Sequence, residues 1–476
     1  MTFVGRVREL DELAHLLEQV RRGSRGDRGM AVNLRGRRRV GKSRLASEFV
    51  IRAGVPYAYF QAARGAPVQD ELAELALAIA SSTLPAASIA RDQRPTSLTA
   101  ALTMLASALP EDTPSIIVID EVPWLLEGIP GGAGELQRAW DRALAPKPVL
   151  LLLLGSDLAM MERLNAPDQP FHGRSTPMVL NPLTPSDIAR ITGLDAFDAF
   201  DAYLITGGSP LAALEWESGM SREDFLRESF TRSTSALIAS GSRVLDAEFP
   251  EWTLARTLLS AIGARGERTF TGIRNAVTRD GMSEATILSS LRALLDKQVV
   301  AADEPLSARR AIKDRRWRIA DPSLRFWLAF VEPALGEVDR GRPDLAMNRV
   351  NAGYESWRGR AIEPVVRAGL ERLLPNGSWQ TTAGVGGWWP RNNTPEIDLV
   401  GTDARPSGEV TFVGSIKWRQ TGSITAGEID DLARSAVKVP GASALTPLVA
   451  VTGRQRSRHS RLSDCWTAQD LLAAWP

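Results

Sequence analysis

The sequence predicts an α/β protein with a parallel sheet in its first part and a second α/β module at its end. Three observations carry this. Short apolar runs alternate with helical patterns through residues 1–200. Two of those runs, Ser115–Ile119 and Val149–Leu154, are almost wholly aliphatic, as strands buried on both faces are. A second set of strand-like runs appears only after residue 354, behind a helical middle. Strand–helix alternation of this kind belongs to parallel sheets joined by helices.

Ala31-Val32-Asn33-Leu34 is predicted as the first strand, followed by a Gly-rich turn and a helix over Ser43–Ala53. Tyr57–Gln61 is predicted as a second strand. Asp70–Ser81 is predicted as a helix, because Leu72, Leu75, Ala76 and Ile79 recur on one face. Ser115–Ile119 and Val149–Leu154 supply two further strands. Residues 200–250 contain no strand-like run. Residues 252–332 hold three short helical patterns and the alternating segment Arg316-Trp317-Arg318-Ile319-Ala320. Gly336–Pro343 is polar with Gly and Pro and is predicted as a linker. A helix over Ser356–Leu374 then precedes strand-like runs at Glu396–Val400, Val410–Ile416 and Leu448–Val451.

Composition narrows the function classes. The 476 residues, with 44% hydrophobic and 24% charged, are those of a globular protein of several domains. The longest aliphatic run has six residues, against the roughly 20 a membrane span needs, so no membrane partner is expected. The single Cys465 excludes an internal disulfide, and a reducing, cytoplasmic setting is expected. His15, His172 and His459 lie far apart, which disfavours a His/Cys zinc site and a His-based triad. A net charge of +1 carries no signal for bulk nucleic-acid affinity. Only six of the 57 basic residues are lysine, so each lysine is a candidate for a place where a compact ammonium is needed.

Two of the six fall in motifs. Gly36-Arg37-Arg38-Arg39-Val40-Gly41-Lys42-Ser43 fits G-x-x-x-x-G-K-S/T between a strand and a helix, and Arg44 continues it into the helix. Backbone N–H groups of such a loop close around a β-phosphate, and the helix N-terminus adds its dipole. Lys42 is expected on the β- and γ-phosphates and the Ser43 hydroxyl on Mg²⁺. Ile116-Ile117-Val118-Ile119-Asp120-Glu121 places an acidic pair at the C-terminal end of a buried strand, where open α/β sheets bind ligands. Asp120 is expected to hold Mg²⁺, and Glu121 to orient or deprotonate the attacking water. ATP and Mg²⁺ are the expected cofactors.

With these motifs the sequence resembles the archaeal-type ATPases of the AAA+/STAND group over nearly its whole length. Phe3-Val4-Gly5-Arg6 resembles the family's N-terminal box. Gly155-Ser156 ends a strand where the family places a polar γ-phosphate sensor, which implies that role for Ser156. Pro170-Phe171-His172-Gly173-Arg174 resembles the following segment and makes Arg174 a candidate sensor or arginine finger, in cis or in trans, against the plain alternative of a surface arginine. Tyr203-Leu204-Ile205-Thr206-Gly207-Gly208-Ser209-Pro210 resembles an element of the helical lid, which implies that Pro210 lies near the nucleotide.

The resemblance implies a P-loop NTPase core over 1–200, a helical lid over 201–250, a winged helix over 251–335 and a C-terminal restriction-endonuclease-like domain over 336–476. In the winged helix, the helix capped by Ser283 buries Ile287, Leu288, Leu291, Leu294 and Leu295. The wing carries Arg309, Arg310, Lys313, Arg315, Arg316 and Arg318. That cluster has three readings: phosphate neutralisation on DNA, a solvated hairpin, or a surface for another domain. Ile319-Ala320-Asp321-Pro322-Ser323-Leu324-Arg325-Phe326-Trp327 resembles the family's junction, with its aromatics packing.

The C-terminal domain resembles the PD-(D/E)xK nuclease fold, which needs an acid on a helix, a metal-binding Asp on one strand and E-x-K on the next. Glu363 lies on the helix, Asp398 is the candidate metal ligand on the same face as Glu396, and Lys417 stands as the candidate catalytic lysine. Ser415 occupies the Glu position, which leaves two readings: cleavage rescued by Glu363, Glu396 or Glu409, or a non-catalytic binding or assembly module. Gly384–Trp389 is predicted as a turn with two tryptophans. Arg454, Arg456, Arg458 and Arg461 form a basic stretch, either tracking a nucleic-acid backbone or solvated. DNA and a second copy of the chain stand as candidate partners. Two functions follow: an ATPase coupled to a DNA-binding or nuclease-like module, or a nucleotide-dependent switch.

Overall fold

The computed structural model describes residues 3–23, 29–239, 241, 252–264, 266–277 and 282–475. Residues 240 and 242–250 of the expected lid lie outside them. The chain divides into two compact units, Met1–Pro182 and Leu183–Pro476.

The first unit is a five-stranded, all-parallel sheet built from β1 (Met30–Arg35), β2 (Tyr57–Gln61), β3 (Ser115–Asp120), β4 (Val149–Gly155) and β5 (Ser175–Val179). The spatial order is β2-β3-β4-β1-β5. Alternate side chains of the aliphatic strands enter opposite cores, which is why the runs are continuous. Ile117, Ile119, Leu151 and Leu153 join one core, whereas Ile116, Val118, Leu150, Leu152 and Leu154 join the other. Helices α1 (Val7–Arg22) and α2 (Lys42–Ala53) cover the second face. Helices α3 (Val68–Ala80), α4 (Leu98–Ala108), α5 (Val122–Gly128), α6 (Gly132–Ala139) and α7 (Leu158–Leu164) cover the first.

The second unit begins with α8 (Pro185–Thr192), α9 (Ala196–Thr206), α10 (Pro210–Leu214) and α11 (Arg222–Thr231). There follow α12 (Trp252–Ile262), β6 (Arg268–Thr269), α13 (Phe270–Val277), α14 (Glu284–Asp296), β7 (Val300–Asp303) and β8 (Arg316–Ile319), with the three strands in the antiparallel order β6-β8-β7. Ser283 caps α14 by accepting from the Thr286 N–H, and Ile287, Leu291 and Leu294 are buried. Leu288 and Leu295, expected in the core, are over a third exposed.

The predicted linker is not one. Leu335–Asp339 is a helical turn, α16, after α15 (Pro322–Phe326), and Pro343 opens the 31-residue α17 (Pro343–Leu373). Pro at the first turn of a helix loses no hydrogen bond, so the Gly-Arg-Pro punctuation marks a helix start. The end of the chain is a mixed sheet of β9 (Gly384–Trp388), β10 (Ile397–Thr402), β11 (Val410–Lys417), β12 (Leu448–Thr452) and β13 (Asp464–Trp466) in the order β13-β12-β11-β10-β9. β9, β10 and β11 are antiparallel, and β11, β12 and β13 parallel, with α18 (Ala426–Ala436) as the crossover between β11 and β12. The Gly384–Trp389 segment is therefore a buried strand rather than a turn. Its glycines exist because Leu306 and the Arg367 guanidinium lie where Cβ atoms of Gly386 and Gly387 would be. α19 (Ala468–Leu472) follows, and a large core draws on residues from Leu183 to Trp475, with two smaller ones that take in Leu432 and Ile429 of α18.

Candidate nucleotide site

The loop Gly36–Ser43 joins central strand β1 to α2. A Cβ on Gly36 would stand 2.5 Å from the Leu180 carbonyl oxygen, and Gly41 has φ +94°, so neither accepts a side chain without strain. The Lys42 ammonium is buried and donates to the carbonyls of Gly36 (2.7 Å) and Arg37 (3.1 Å). It thus lies inside the curve of its own loop. Arg6, left-handed at the start of α1, donates to the Val40 carbonyl at 2.9 Å and pairs with Glu9. The N-terminal box therefore braces the loop directly. Arg38 lies over the Trp124 ring.

Asp120 ends β3 and is 1% exposed. One of its oxygens accepts from the Glu121 N–H at 3.0 Å, the other from the Tyr59 hydroxyl at 2.8 Å. Burial first, then the Asp120 charge and its hydrogen bond, push the phenol well above its ordinary value. Strands β3 and β2 thus bring a carboxylate to one phenol, and the Ser43 hydroxyl stands in the first turn of α2. These hard oxygen donors suit Mg²⁺, which takes few protein ligands beside phosphate and water. No three His, Cys, Asp or Glu side chains gather into a metal cage among the described residues. The oxygen set fits a cation shared with a nucleotide.

Glu121 has φ +54°, an uncommon conformation for a non-glycine residue. Its carboxylate accepts from the Ser156 N–H (3.2 Å) and hydroxyl (3.0 Å) at the end of β4. The sheet order sets β3 beside β4, so Glu121 and Ser156 meet. Arg174, just before β5, is committed elsewhere: its Nε and one terminal nitrogen grip Asp141 at 2.7 and 2.9 Å. The other terminal nitrogen donates to the carbonyls of Pro170 and His172. The hydrogen bond to Asp141 raises Arg174 above its usual range and holds Asp141 below its own. Pro210 opens α10 in the second unit, after the left-handed Gly207 and Gly208.

With this geometry in view, residues 2–128 match the family described as AAA ATPase domain. Residues 327–429 match a family described as archaeal and bacterial proteins of unknown function. A curated relative, the uncharacterized protein MJECL04 of Methanocaldococcus jannaschii, is 25% identical over 312 residues, 64% of this chain and 67% of the relative. Among solved structures, the Walker-type ATPase PABY2304 of Pyrococcus abyssi is 19% identical, with 68% of this chain and 96% of that chain covered and a TM-score of 0.46. The ORC2 protein of Aeropyrum pernix, in ADPNP–ADP complexes, is 15% identical, with 74% and 96% covered and a TM-score of 0.46.

The C-terminal candidates line a small cleft of about 190 Å³ that includes Glu396, Asp398, Ser415, Lys417 and Glu428. One Asp398 oxygen accepts from both the Ser415 hydroxyl and the Ile416 N–H, each at 2.8 Å. The acids offered as replacements for the missing Glu are ion-paired or lie outside the cleft. Glu363 pairs with Arg367 at 3.0 Å, and burial pushes it up to about 7. Glu396 pairs with Arg316 and Arg360. Glu409 lies outside the cleft, its N–H bonded to Asp403. Lys417 approaches Glu428 at 3.7 Å. Partial burial raises Glu428, but Arg419, Thr425 and Lys417 outweigh it and hold the carboxyl down to about 2. Glu396, Glu428 and Asp431 of the cleft are paired with arginines, so Asp398 stands without the second free carboxylate that the nuclease pattern sets beside it.

The basic segments are largely neutralised from within. Arg310 and Arg315 pair with Glu304, and Arg318 with Asp303. Arg316 is buried against Glu396, Asn393, Glu267 and the Trp389 ring, which makes it a contact between hairpin and C-terminal sheet. Arg454 pairs with Asp195 and Asp198, Arg456 with Asp470 and Arg461 with Asp430. Sequence reading left Tyr59 out of the site. A tyrosine on the strand beside the acidic one was the available signal.

Proposed function

We propose that the chain binds ATP with Mg²⁺, hydrolyses it, and uses the nucleotide state as a switch for its second unit. The loop amides, Lys42 and Ser43 hold the phosphates, Asp120 and Ser43 hold the cation, and Ser156 aims Glu121 at the attacking water. Mg²⁺ would neutralise charge on the β- and γ-oxygens. Lys42, leaving the Gly36 and Arg37 carbonyls, would exchange them for phosphate oxygens. Pro210 and its lid, and Arg174 once released from Asp141, are assigned to sensing the γ-phosphate.

For the C-terminal part the reading is a binding or assembly module that follows the ATPase. The observation that carries it is Ser415 beside Asp398, a hydroxyl on one carboxylate oxygen where the nuclease pattern sets a second metal-binding carboxylate. In the alternative reading the helical middle is a winged helix on DNA and the sheet a nuclease. Its support is the helix–strand–helix–helix–hairpin order at 252–319 and the α17–β9–β10–β11–α18–β12 order, plus Arg309, Lys313 and Arg458 left exposed.

The test runs the pure protein with linear and supercoiled DNA, Mg²⁺ or Mn²⁺, with and without ATP, beside light scattering in ADP and in ATP. A size change between nucleotides without cleavage is expected. Metal-dependent cleavage abolished by Lys417→Ala would overturn the module reading.

A further inference from the structure

Tyr59 sits on β2 two positions before Gln61, which lies opposite Asp120 in the parallel register. Its phenol reaches up the sheet to the carboxylate. Asp120 is thereby fixed from both sides, with the Glu121 N–H on one oxygen and the phenol on the other. Each oxygen keeps a second lone pair. One side chain therefore holds, through a 2.8 Å hydrogen bond, the carboxylate to which the cation is assigned. Its ring packs at the margin of the α1–α2 core, so phenylalanine would keep the packing and lose the tie.

We propose that Tyr59 is a positioning residue for the divalent cation: its hydroxyl orients Asp120 so that the site prefers nucleotide with Mg²⁺ over nucleotide alone. This rests on the nucleotide reading above. Partners that orient metal-binding carboxylates from behind are typically worth roughly 10–100-fold in metal affinity.

The experiment is a titration with a fluorescent ADP analogue, in Mg²⁺ and in EDTA, on the full chain. Wild type, Tyr59→Phe, Asp120→Asn and the strand control Tyr57→Phe are compared. Tyr59→Phe is expected to bind like wild type in EDTA and to lose about tenfold of the Mg²⁺-dependent gain. Tyr57→Phe is expected to keep that gain, and Asp120→Asn to lose it. A Tyr59→Phe protein that keeps the full Mg²⁺ gain, or binds Mg²⁺–nucleotide more tightly, overturns the inference alone. Loss of binding in EDTA as well makes the role structural and overturns it too. Wild type that binds no nucleotide in either condition overturns the nucleotide reading, and this inference falls with it.

Discussion

The Ser156 N–H and hydroxyl both point at one oxygen of Glu121, at 3.2 and 3.0 Å, across the gap between neighbouring strands β4 and β3. Glu121 follows a buried strand in a left-handed conformation, and the serine fixes where its carboxylate goes. Ser156→Ala keeps the backbone donor and removes the side-chain one. ATP turnover is expected to fall about tenfold with nucleotide affinity unchanged, because the serine aims the acid rather than holding phosphate. Steady-state hydrolysis beside a binding titration checks this. Equal or faster turnover would contradict it.

Ser415 is the complementary case. Ser415→Glu sets a second carboxylate beside Asp398, as the nuclease resemblance requires. Mn²⁺ is expected to raise the melting temperature of this variant and to leave wild type unmoved, since binding to the folded state alone stabilises it. Mn²⁺ stabilisation of wild type that Asp398→Asn abolishes and Asp120→Asn keeps would mean that the cleft already holds metal.

Arg316 is buried where the hairpin meets the C-terminal sheet. Arg316→Ala leaves Glu396 and Glu267 short of a partner and is expected to cost about 3 kcal/mol in urea unfolding. Arg309→Ala, on an exposed side chain, is expected to stay within about 0.5 kcal/mol. Equal, small costs would remove Arg316 as an anchor.

Asp201 on α9 receives Arg358 at 3.0 Å and Arg222 at 3.4 Å on one oxygen, while its other oxygen is buried without a partner. Burial outweighs the arginines and raises its carboxyl from 3.8 to about 6. A carboxyl raised on folding binds more protons folded than unfolded, so its contribution falls as pH rises from about 4 through about 6. Asp201→Asn lacks this dependence. The stability gap between wild type and variant is expected to move in the variant's favour between pH 4.5 and pH 7. A gap that moves the other way would show the arginines dominating.

Much of the first unit was legible because its chemistry is local. The glycines and lysine of the loop, and the acids after an aliphatic strand, declare themselves within a few residues, and sheet order then brings Ser156 to Glu121. Tyr59 was not legible, since its role comes from lying beside β3, which no spacing records. In the second unit, Gly384–Trp388 was mistaken for a turn because its glycines answer to Arg367 and Leu306, distant in sequence. The basic wing leaves three readings open in sequence for the same reason: Glu304, Asp303 and Glu396 pair with it only in the folded chain.

The most direct test of the central claim is single-turnover hydrolysis of radiolabelled ATP by wild type, Lys42→Ala and Glu121→Gln, with bound nucleotide measured in the same samples. The account predicts hydrolysis by wild type, bound but uncleaved ATP in Glu121→Gln, and lost binding in Lys42→Ala. Hydrolysis that survives in Glu121→Gln, or wild type that neither binds nor cleaves ATP, would contradict it.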